Sequence, residues 1–299
     1  MIYKLEAACC SNIGKVRANN EDNFFFNGIV LPQENNGQVE PLLIDKILTA
    51  PECLAVFDGM GGGDCGEVAS YTAANLLKQI LSHGPIEGDM SIQSFLTGVC
   101  GSLNNAVCTK QAELDTHRMG STAAILSFSN GYITACNIGD SRIFGLRADR
   151  FIQISTDHTD EAFLKERGIT GRRPGLTQYL GLNPETVRLD PYIAHDELQP
   201  GDRYIICSDG LTDMLENDEI ASILKVSATA EDCVKMLVQT ALDNGGRDNV
   251  TVIVCYISGE TMQRGKENGI EFITSGLERL EAGAKAGWRH IRNCLRDRT

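Results

Sequence analysis

Three aspartates stand next to apolar runs that have the length of buried strands. A carboxylate at the tip of a buried strand is costly to desolvate unless an opposite charge compensates it. Hard divalent cations give that compensation, because they prefer oxygen ligands. The sequence therefore predicts a carboxylate-bound metal site, built from Asp58 after the run 53–57, Asp209 after the run 204–208 and Asp248 two residues before the run 250–254.

Length and charge narrow the class of protein. A chain of 299 residues with 42% hydrophobic residues has material for one large domain or two small ones. Its formal net charge of -13 argues against nucleic-acid binding, which needs a basic face, and suits a protein that holds cations.

Cysteine usage favours a reducing compartment. The 11 cysteines are odd in number, and several, including Cys136, Cys207 and Cys255, lie inside apolar runs where cysteine acts as a small hydrophobic residue. The N-terminus lacks a basic region followed by an apolar stretch, and no segment reaches the ~18 apolar residues that span a bilayer. These features predict a reduced, cytoplasmic protein.

Hydrophobic periodicity predicts strands and helices in segregated groups, which is typical of a layered α+β fold rather than a parallel sheet. Asp140 also follows a predicted strand, and in an antiparallel sheet the ends of neighbouring strands share one rim. We therefore expect Asp140 to join the other three aspartates there. The predicted strands are 4–10, 24–26, 53–57, 122–128, 132–138, 142–146, 151–154, 204–208 and 250–257, and the helices are 68–80, 91–114, 218–224 and one that begins at Thr229.

Three segments fall outside this pattern. Residues 27–52 are rich in Asn, Gln, Pro and Glu, which predicts an inserted loop, and the polar, glycine-containing residues 157–182 predict a long irregular loop. Residues 260–299 have a basic end and apolar positions at helical spacing. They are interpreted either as a helical or flexible appendage to a domain of residues 1–259, or as an element that docks a partner or an anionic membrane surface.

Seven segments carry a resemblance to a known family. The most specific is Asp58-Gly59-Met60-Gly61-Gly62 after a buried strand. The chain resembles the metal-dependent serine/threonine protein phosphatases of type 2C, also called the PPM family, and its Met60 resembles bacterial members. The matching segments occur in the family's order, namely 11–22, 56–62 with Gly66-Glu67, 119–123, 137–142, 157–159, 207–213 and 246–251.

The resemblance implies a four-layer α+β sandwich, in which two packed antiparallel β-sheets are flanked by pairs of helices. It implies two Mn²⁺ or Mg²⁺ ions, bridged by Asp58. The carbonyl of Gly59 would bind one ion, and Asp209 with Asp248 would bind the other. The glycine fits this role because it lets its backbone approach a metal closely.

The resemblance also implies roles for residues around these ligands. Glu21 and Asp22 would hold metal-bound waters, and Asp140 and Asp213 match positions that hold a third, weaker metal in family members. Arg17 matches the arginine that grips the substrate phosphate, for which a guanidinium fork is geometrically suited.

The implied reaction is direct hydrolysis of phosphoserine or phosphothreonine by a metal-bridged hydroxide, with no covalent phosphoenzyme. Many animal members have His where this chain has Met60, so protonation of the leaving group falls here to a metal-bound water. Residues 157–182 correspond to the family's mobile flap. The flap segment from Asp160 to Thr177 is short, and residues 27–52 are longer than usual.

Other interpretations stay open at several positions. Asp140 also fits a cap of the turn after its strand, and Asp213 a carboxylate at a helix end. The pair Arg172-Arg173 is interpreted as solvated or as a contact for phosphopeptides. His158 is interpreted as structural, and Asn249 as a residue that orients Asp248 or its turn.

The expected partners are phosphorylated proteins bound by a monomer, with no nucleic acid. One alternative is an inactive scaffold that binds phosphoproteins, although the retained carboxylates argue against it. Another is a phosphatase in a regulatory circuit, opposing a bacterial serine/threonine kinase or acting on an anti-sigma-factor antagonist.

Overall fold

The computed structural model describes residues 1–38, 40–61, 65–82, 91–116 and 118–260. Two antiparallel sheets form the centre of the fold. In spatial order the first sheet contains β3 (Leu42–Ile47), β1 (Ile2–Asn12), β12 (Val250–Glu260), β11 (Arg203–Cys207), β8 (Arg142–Arg147) and β9 (Arg150–Gln153). The second contains β10 (Tyr192–Glu197), β7 (Tyr132–Ile138), β6 (Ala123–Ser129), β4 (Glu52–Met60) and β2 (Asp22–Phe26), with β5 (Gly120–Ser121) paired to the end of β4.

Helices cover the outer face of each sheet. The second sheet packs against α1 (Gly66–Ser82) and α2 (Ile92–Glu113), and the first packs against α5 (Asn217–Val226) and α6 (Ala230–Asp243). A third apolar core lies between the two sheets. The predicted four-layer α+β sandwich is therefore confirmed. Two short helices, α3 (Glu161–Glu166) and α4 (Asp209–Thr212), lie outside these layers.

Burial on both faces explains the unbroken apolar runs. In β4, Leu54 and Val56 face the core between the sheets, whereas Ala55 and Phe57 face the helices. Alternating residues of a strand point to opposite faces, so a strand inside a layered core must be apolar throughout. Cys136, Cys207 and Cys255 are fully buried thiols in such strands, as the sequence predicts.

The helices begin where capping residues predict. The hydroxyl of Thr229 accepts a hydrogen bond from the backbone N–H of Asp232 at 3.0 Å, and so caps α6. Ser91 caps α2 in the same way, through the N–H of Ser94 at 3.2 Å. The predicted helices 68–80, 91–114 and 218–224 correspond to α1, α2 and α5.

The structure corrects several predictions. Residues 27–52 do not form a loop throughout, because 42–47 form β3 and pair with β1. Asp58 lies inside β4 rather than after it, since β4 continues to Met60 by pairing with β5. The region 157–182 contains the short helix α3, and β10 and α4 were not predicted.

The first residue of the predicted tail 260–299 belongs to β12 instead, and residues 261–299 lie outside the described residues. The last described strand, β12, continues to Glu260 and pairs along its length with β1. None of the helices within the described ranges is long and apolar enough to cross a membrane.

Candidate metal centre

One cleft receives the acidic residues that the sequence singled out. Its lining includes the four aspartates of the predicted rim, namely Asp58, Asp140, Asp209 and Asp248. Glu21, Gly59, Met60 and Arg17 line it as well, together with Arg173 from the 157–182 region. The predicted convergence of the four aspartates is therefore confirmed.

Antiparallel pairing explains this convergence. The end of β11 lies beside the start of β12, with Cys207 opposite Val252, so Asp209 and Asp248 leave the first sheet at the same edge. In the second sheet, Asp22 on β2 lies directly opposite Asp58 on β4. Both sheets thus present their carboxylates at one end of the sandwich.

Hydrogen bonds fix the backbone around Asp58. Its N–H donates to the hydroxyl of Thr122 at 2.9 Å, and its carbonyl accepts from the N–H of Thr122 at 2.8 Å. The Thr122 hydroxyl is in turn 2.6 Å from that of Ser141. Thr122 therefore positions the central carboxylate, a role that its place in a matching segment did not reveal.

Gly59 lies where three backbone segments meet. Its N–H donates to the carbonyl of Glu21 at 3.1 Å. A Cβ at this position would lie 2.5 Å from that same oxygen and would overlap the carbonyl of Gly66, at the start of α1. Only glycine allows this approach, so the Asp-Gly pair has a packing reason in addition to its predicted metal role.

Asn249 connects the loop between β1 and β2 to the carboxylate rim through hydrogen bonds. Its amide donates to the carbonyls of Ile13 at 2.8 Å and Asn19 at 2.9 Å, and its oxygen accepts from the N–H of Glu21 at 2.8 Å. Its own N–H donates to the carboxylate of Asp248 at 2.8 Å. These contacts confirm the interpretation that Asn249 orients Asp248 and its turn.

Burial and mutual repulsion oppose the charge of these carboxylates. Desolvation raises the pKa of Asp58 well above its usual range, and the charges of Asp209, Asp22, Asp140 and Asp248 raise it further. Concentrated negative charge of this kind is stabilised by a cation.

The neighbouring carboxylates follow the same trend. Burial raises the pKa of Asp22 to about 7, against hydrogen bonds from Ser208 and Thr251 that lower it. Burial likewise raises the pKa of Asp209 to about 7, with Asp140 and Asp213 adding to the effect and Arg173 opposing it. Burial also raises the pKa values of Glu21 and Asp140.

Two arginines supply positive charge at the rim. Nη2 of Arg17 lies 2.6 Å from Oδ2 of Asp248, and Nη2 of Arg173 lies 2.5 Å from Oδ2 of Asp209 and 3.1 Å from Oδ2 of Asp213. Both guanidinium groups stay substantially exposed, at 45% and 62%. They can therefore exchange a carboxylate for an incoming anion.

The donor set fits a hard cation. The described residues that line the cleft offer carboxylate and backbone oxygens, and include no thiolate or imidazole of the kind that softer metals prefer. Within the described ranges, no three acidic, histidine or cysteine side chains already surround one point. Two of the aspartates instead form ion pairs with Arg17 and Arg173, which are contacts that a divalent ion of higher charge can replace.

Two predicted site residues lie outside this lining. Asp22 is buried behind the rim, where its Oδ2 accepts a hydrogen bond from Oγ of Ser208 at 2.7 Å. Asp213 is exposed and follows the last residue of α4, as its interpretation as a helix-end carboxylate predicts. Arg173 brings it into contact with the rim.

Arg172, Arg173 and His158, whose roles the sequence left open, have different surroundings in the structure. Arg173 enters the cleft, so the interpretation of the whole pair as solvated is wrong for this residue. Arg172 pairs with Asp160 at 2.8 Å instead. His158 accepts a hydrogen bond from the N–H of Gly139 at 3.1 Å, and burial lowers its pKa, in agreement with a structural role.

The fold is a layered α+β sandwich with a rim of carboxylates and two arginines at one end. These features define a class of protein that can bind divalent cations next to an anionic substrate. Residues 46–245 match the model of the family described as protein phosphatase 2C, and the chain belongs to this family. The predicted family is confirmed.

Relatives and solved structures agree with this membership. The chain is 31% identical over 258 residues to the serine/threonine protein phosphatase PstP of Mycobacterium tuberculosis, with 85% of this chain covered, but it spans only 45% of that relative. It is 28% identical over 264 residues to the serine/threonine phosphatase stp of Listeria innocua, covering 85% of this chain and 96% of the relative. The solved catalytic domain of PstP, in complex with two manganese ions, superimposes with a TM-score of 0.68 at 29% identity, covering 86% of this chain and all of that domain.

Proposed function

We propose that this chain is a metal-dependent protein serine/threonine phosphatase that hydrolyses phosphoserine and phosphothreonine esters in proteins. The observation that carries the proposal is the cleft in which Asp58, Asp209 and Asp248 face Arg17. Family membership supports it, as does the pair of manganese ions in the related PstP domain.

The carboxylates of the cleft are proposed as ligands for two ions of Mn²⁺ or Mg²⁺. Asp58 would bridge them, the Gly59 carbonyl would contact one, and Asp209 with Asp248 would hold the other. When bound, the cations supply an activated water as nucleophile and neutralise charge on the phosphate oxygens.

The remaining predicted ligands take outer positions in this proposal. Glu21 and Asp22 would hold waters of the metal centre, and the buried hydrogen bond from Ser208 fixes the orientation of the Asp22 carboxylate. Asp140 and Asp213 would contribute to a third, weaker site.

Arg17 is proposed to grip the substrate phosphate. Its guanidinium lies at the cleft with both a carboxylate partner and solvent exposure, so an incoming phosphate can replace Asp248 as its partner. A planar fork of donors matches two phosphate oxygens at once. Met60 lines the cleft but carries no transferable proton, so protonation of the leaving group falls to water.

The domain limits remain part of the proposal. Residues 1–259 form the proposed phosphatase domain, with 27–52 as an insert and 157–182 as the flap region. Residues 260–299 form a tail that is either a helical or flexible appendage or an element that docks a partner or a membrane surface. We also propose a cytoplasmic monomer whose substrates are phosphorylated by an opposing serine/threonine kinase. The pairing of Tyr3 with Gly259, which joins the two ends of the proposed domain, supports these domain limits.

A metal titration tests the function. Protein stripped with EDTA should release no phosphate from a phosphothreonine peptide, and activity should return with Mn²⁺ or Mg²⁺. Asp58→Asn and Asp209→Asn should abolish this recovery of activity. The control Asp149→Asn, at a side chain that is 93% exposed, should leave the recovery intact. Full activity in the stripped protein contradicts the proposal, and so does phosphopeptide binding without turnover, which an inactive scaffold predicts.

A further inference from the structure

A second polar cavity lies beside the metal cleft. It has a volume of about 470 Å³, and its lining is formed by Asn19, Glu34, Asn35, Asn36 and Glu67; we call it the Glu34 pocket. Among the described residues, the lining contains two carboxylates and three amides, and no lysine or arginine. Asn19 lines both this pocket and the metal cleft, so the two cavities are adjacent.

Buried hydrogen bonds hold the loop that forms the pocket. The fully buried Asn20 donates from its amide to the side-chain oxygen of Asn35 at 2.8 Å and to the hydroxyl of Ser11 at 3.1 Å. The same Asn35 oxygen accepts from the N–H of Gly37 at 2.8 Å. These contacts attach the 27–52 segment to Asn20, which precedes the cleft residue Glu21 in the chain.

The opposite wall comes from the start of α1. There Oε2 of Glu67 accepts a hydrogen bond from the amide of Asn19 at 3.0 Å. Glu34, on the loop side, is exposed to solvent. A cationic group that enters the pocket would meet carboxylates from both walls and amide oxygens between them, which is a complementary environment for lysine or arginine.

Lining residues of the two cavities lie close together in the chain, so one extended peptide is expected to contact both. Arg17 and Asn19 are two residues apart, so their Cα atoms are at most about 7 Å apart. An extended peptide advances about 3.3 Å per residue. A basic residue two or three positions from a phosphorylated residue held at Arg17 would therefore lie near Asn19, which lines the Glu34 pocket.

We propose that the Glu34 pocket binds a lysine or arginine side chain that lies two or three residues from the phosphorylated residue of a protein substrate. This inference rests on the proposed phosphatase function and adds a substrate class to it. The phosphate of such a substrate would contact Arg17, and its basic residue would contact the carboxylates of the Glu34 pocket. The opposite charges of the two cavities would therefore determine the direction in which the peptide lies.

Matched phosphothreonine peptides test the inference. The peptides differ only in carrying Arg, Ala or Glu at one position, scanned over the three residues on either side of the phosphothreonine. Each is assayed for kcat/KM at saturating Mn²⁺. At the favoured position the unmodified protein should prefer the Arg peptide over the Ala peptide by about three-fold to ten-fold, the range expected of exposed charge pairs that act together.

Charge changes at the pocket should alter that preference. Glu34→Gln should reduce it, and Glu34→Lys should shift it towards the Glu peptide. The matched controls are Glu40→Gln and Glu40→Lys, because Glu40 belongs to the same 27–52 segment but is 79% exposed and lies 3.7 Å from Lys235 on α6. These controls should retain the preference for Arg.

The outcomes separate the two proposals. Hydrolysis of a small aryl phosphate should be equal in all these variants, because that substrate does not reach the pocket. Equal rates on the Arg, Ala and Glu peptides, or equal shifts from Glu34→Lys and Glu40→Lys, overturn the pocket inference alone. An altered Mn²⁺ dependence on aryl phosphate in Glu34→Gln also overturns it, in favour of a cation site. Absence of hydrolysis of every substrate by the unmodified protein instead overturns the phosphatase function.

Discussion

Asp22 on β2 and Asp58 on β4 lie directly opposite each other in the antiparallel ladder at the rim of the metal cleft. Directly opposed residues place their Cβ atoms about 4.5–5.5 Å apart, and like charges in that relationship destabilise a sheet. Burial is the largest cause of the raised pKa of Asp58, and the charge of Asp22 is among those that raise it further. The fold thus stores repulsion at the place where cations are proposed to bind.

This repulsion predicts how the stability of metal-free protein depends on pH. Asp22 and Asp209 have folded-state pKa values of about 7, raised from 3.8. Between these limits the folded state binds more protons than the unfolded state, so this contribution to the free energy of unfolding falls as pH rises. We expect the melting temperature of EDTA-treated protein to drop by roughly 5 °C or more between pH 5.5 and pH 8.

Saturating Mn²⁺ serves as the control for this measurement. Ligands of a metal must be deprotonated, so bound metal should remove the drop and stabilise the protein more at pH 8 than at pH 5.5. Titrating groups elsewhere in the chain, such as His158, affect both series equally. The same pH dependence with and without metal would show that the rim carboxylates do not cause it.

Asp58→Asn should raise the thermal stability of the metal-free protein while it lowers the metal-dependent activity. The substitution removes one charge from a group that four neighbouring aspartates repel, so the metal-free variant should melt at a higher temperature than the unmodified protein at pH 8. Its metal-dependent activity should fall by more than about 100-fold, since loss of outer partners alone costs about 10–100-fold. A lower melting temperature in EDTA would contradict the stored repulsion.

Arg173 should compete with metal for the carboxylates of the rim. It contacts both Asp209 and Asp213, so Arg173→Ala removes a positive charge from the proposed ligands. We expect Mn²⁺ to bind about three-fold to ten-fold more tightly in calorimetric titrations, as the loss of one close charge pair allows. Arg172→Ala is the matched control, because Arg172 pairs with Asp160 instead. Equal affinity in the two variants would exclude competition by Arg173.

The sequence allowed prediction of those parts of the fold that are buried on both faces. The central runs of β4 and β12 are almost entirely apolar because each strand packs on helices and on the opposite sheet. The edge strands β3 and β10 lack that signal. In β3 only Ile44 is buried, and β10 has no buried residue, so neither has a clear hydrophobic pattern.

In the metal cleft, too, some residues could be predicted from the sequence and others could not. Asp58, Asp209 and Asp248 could be identified because carboxylates beside buried strands conflict with their surroundings. Arg173 and Thr122 could not be assigned in the same way. The position of Arg173 depends on how the 157–182 region folds back over the cleft, and that of Thr122 on hydrogen bonds between strands. Both are products of tertiary structure rather than of local pattern.

Two glycine-to-alanine substitutions should have opposite effects on stability. At Gly59 an added methyl would overlap the Gly66 carbonyl oxygen and approach that of Glu21 to 2.5 Å, so the backbone of the cleft must move. At Gly98, inside α2, no atom of the described part of the chain lies within 4 Å of the added carbon. Gly98→Ala should therefore raise the free energy of unfolding by about 0.5–1 kcal/mol, because alanine restricts the unfolded chain and favours helix. Gly59→Ala should lower it by about 1–3 kcal/mol and reduce Mn²⁺ affinity. Urea denaturation with and without metal measures both effects, and wild-type stability and metal affinity in Gly59→Ala would show that the close approach is not required.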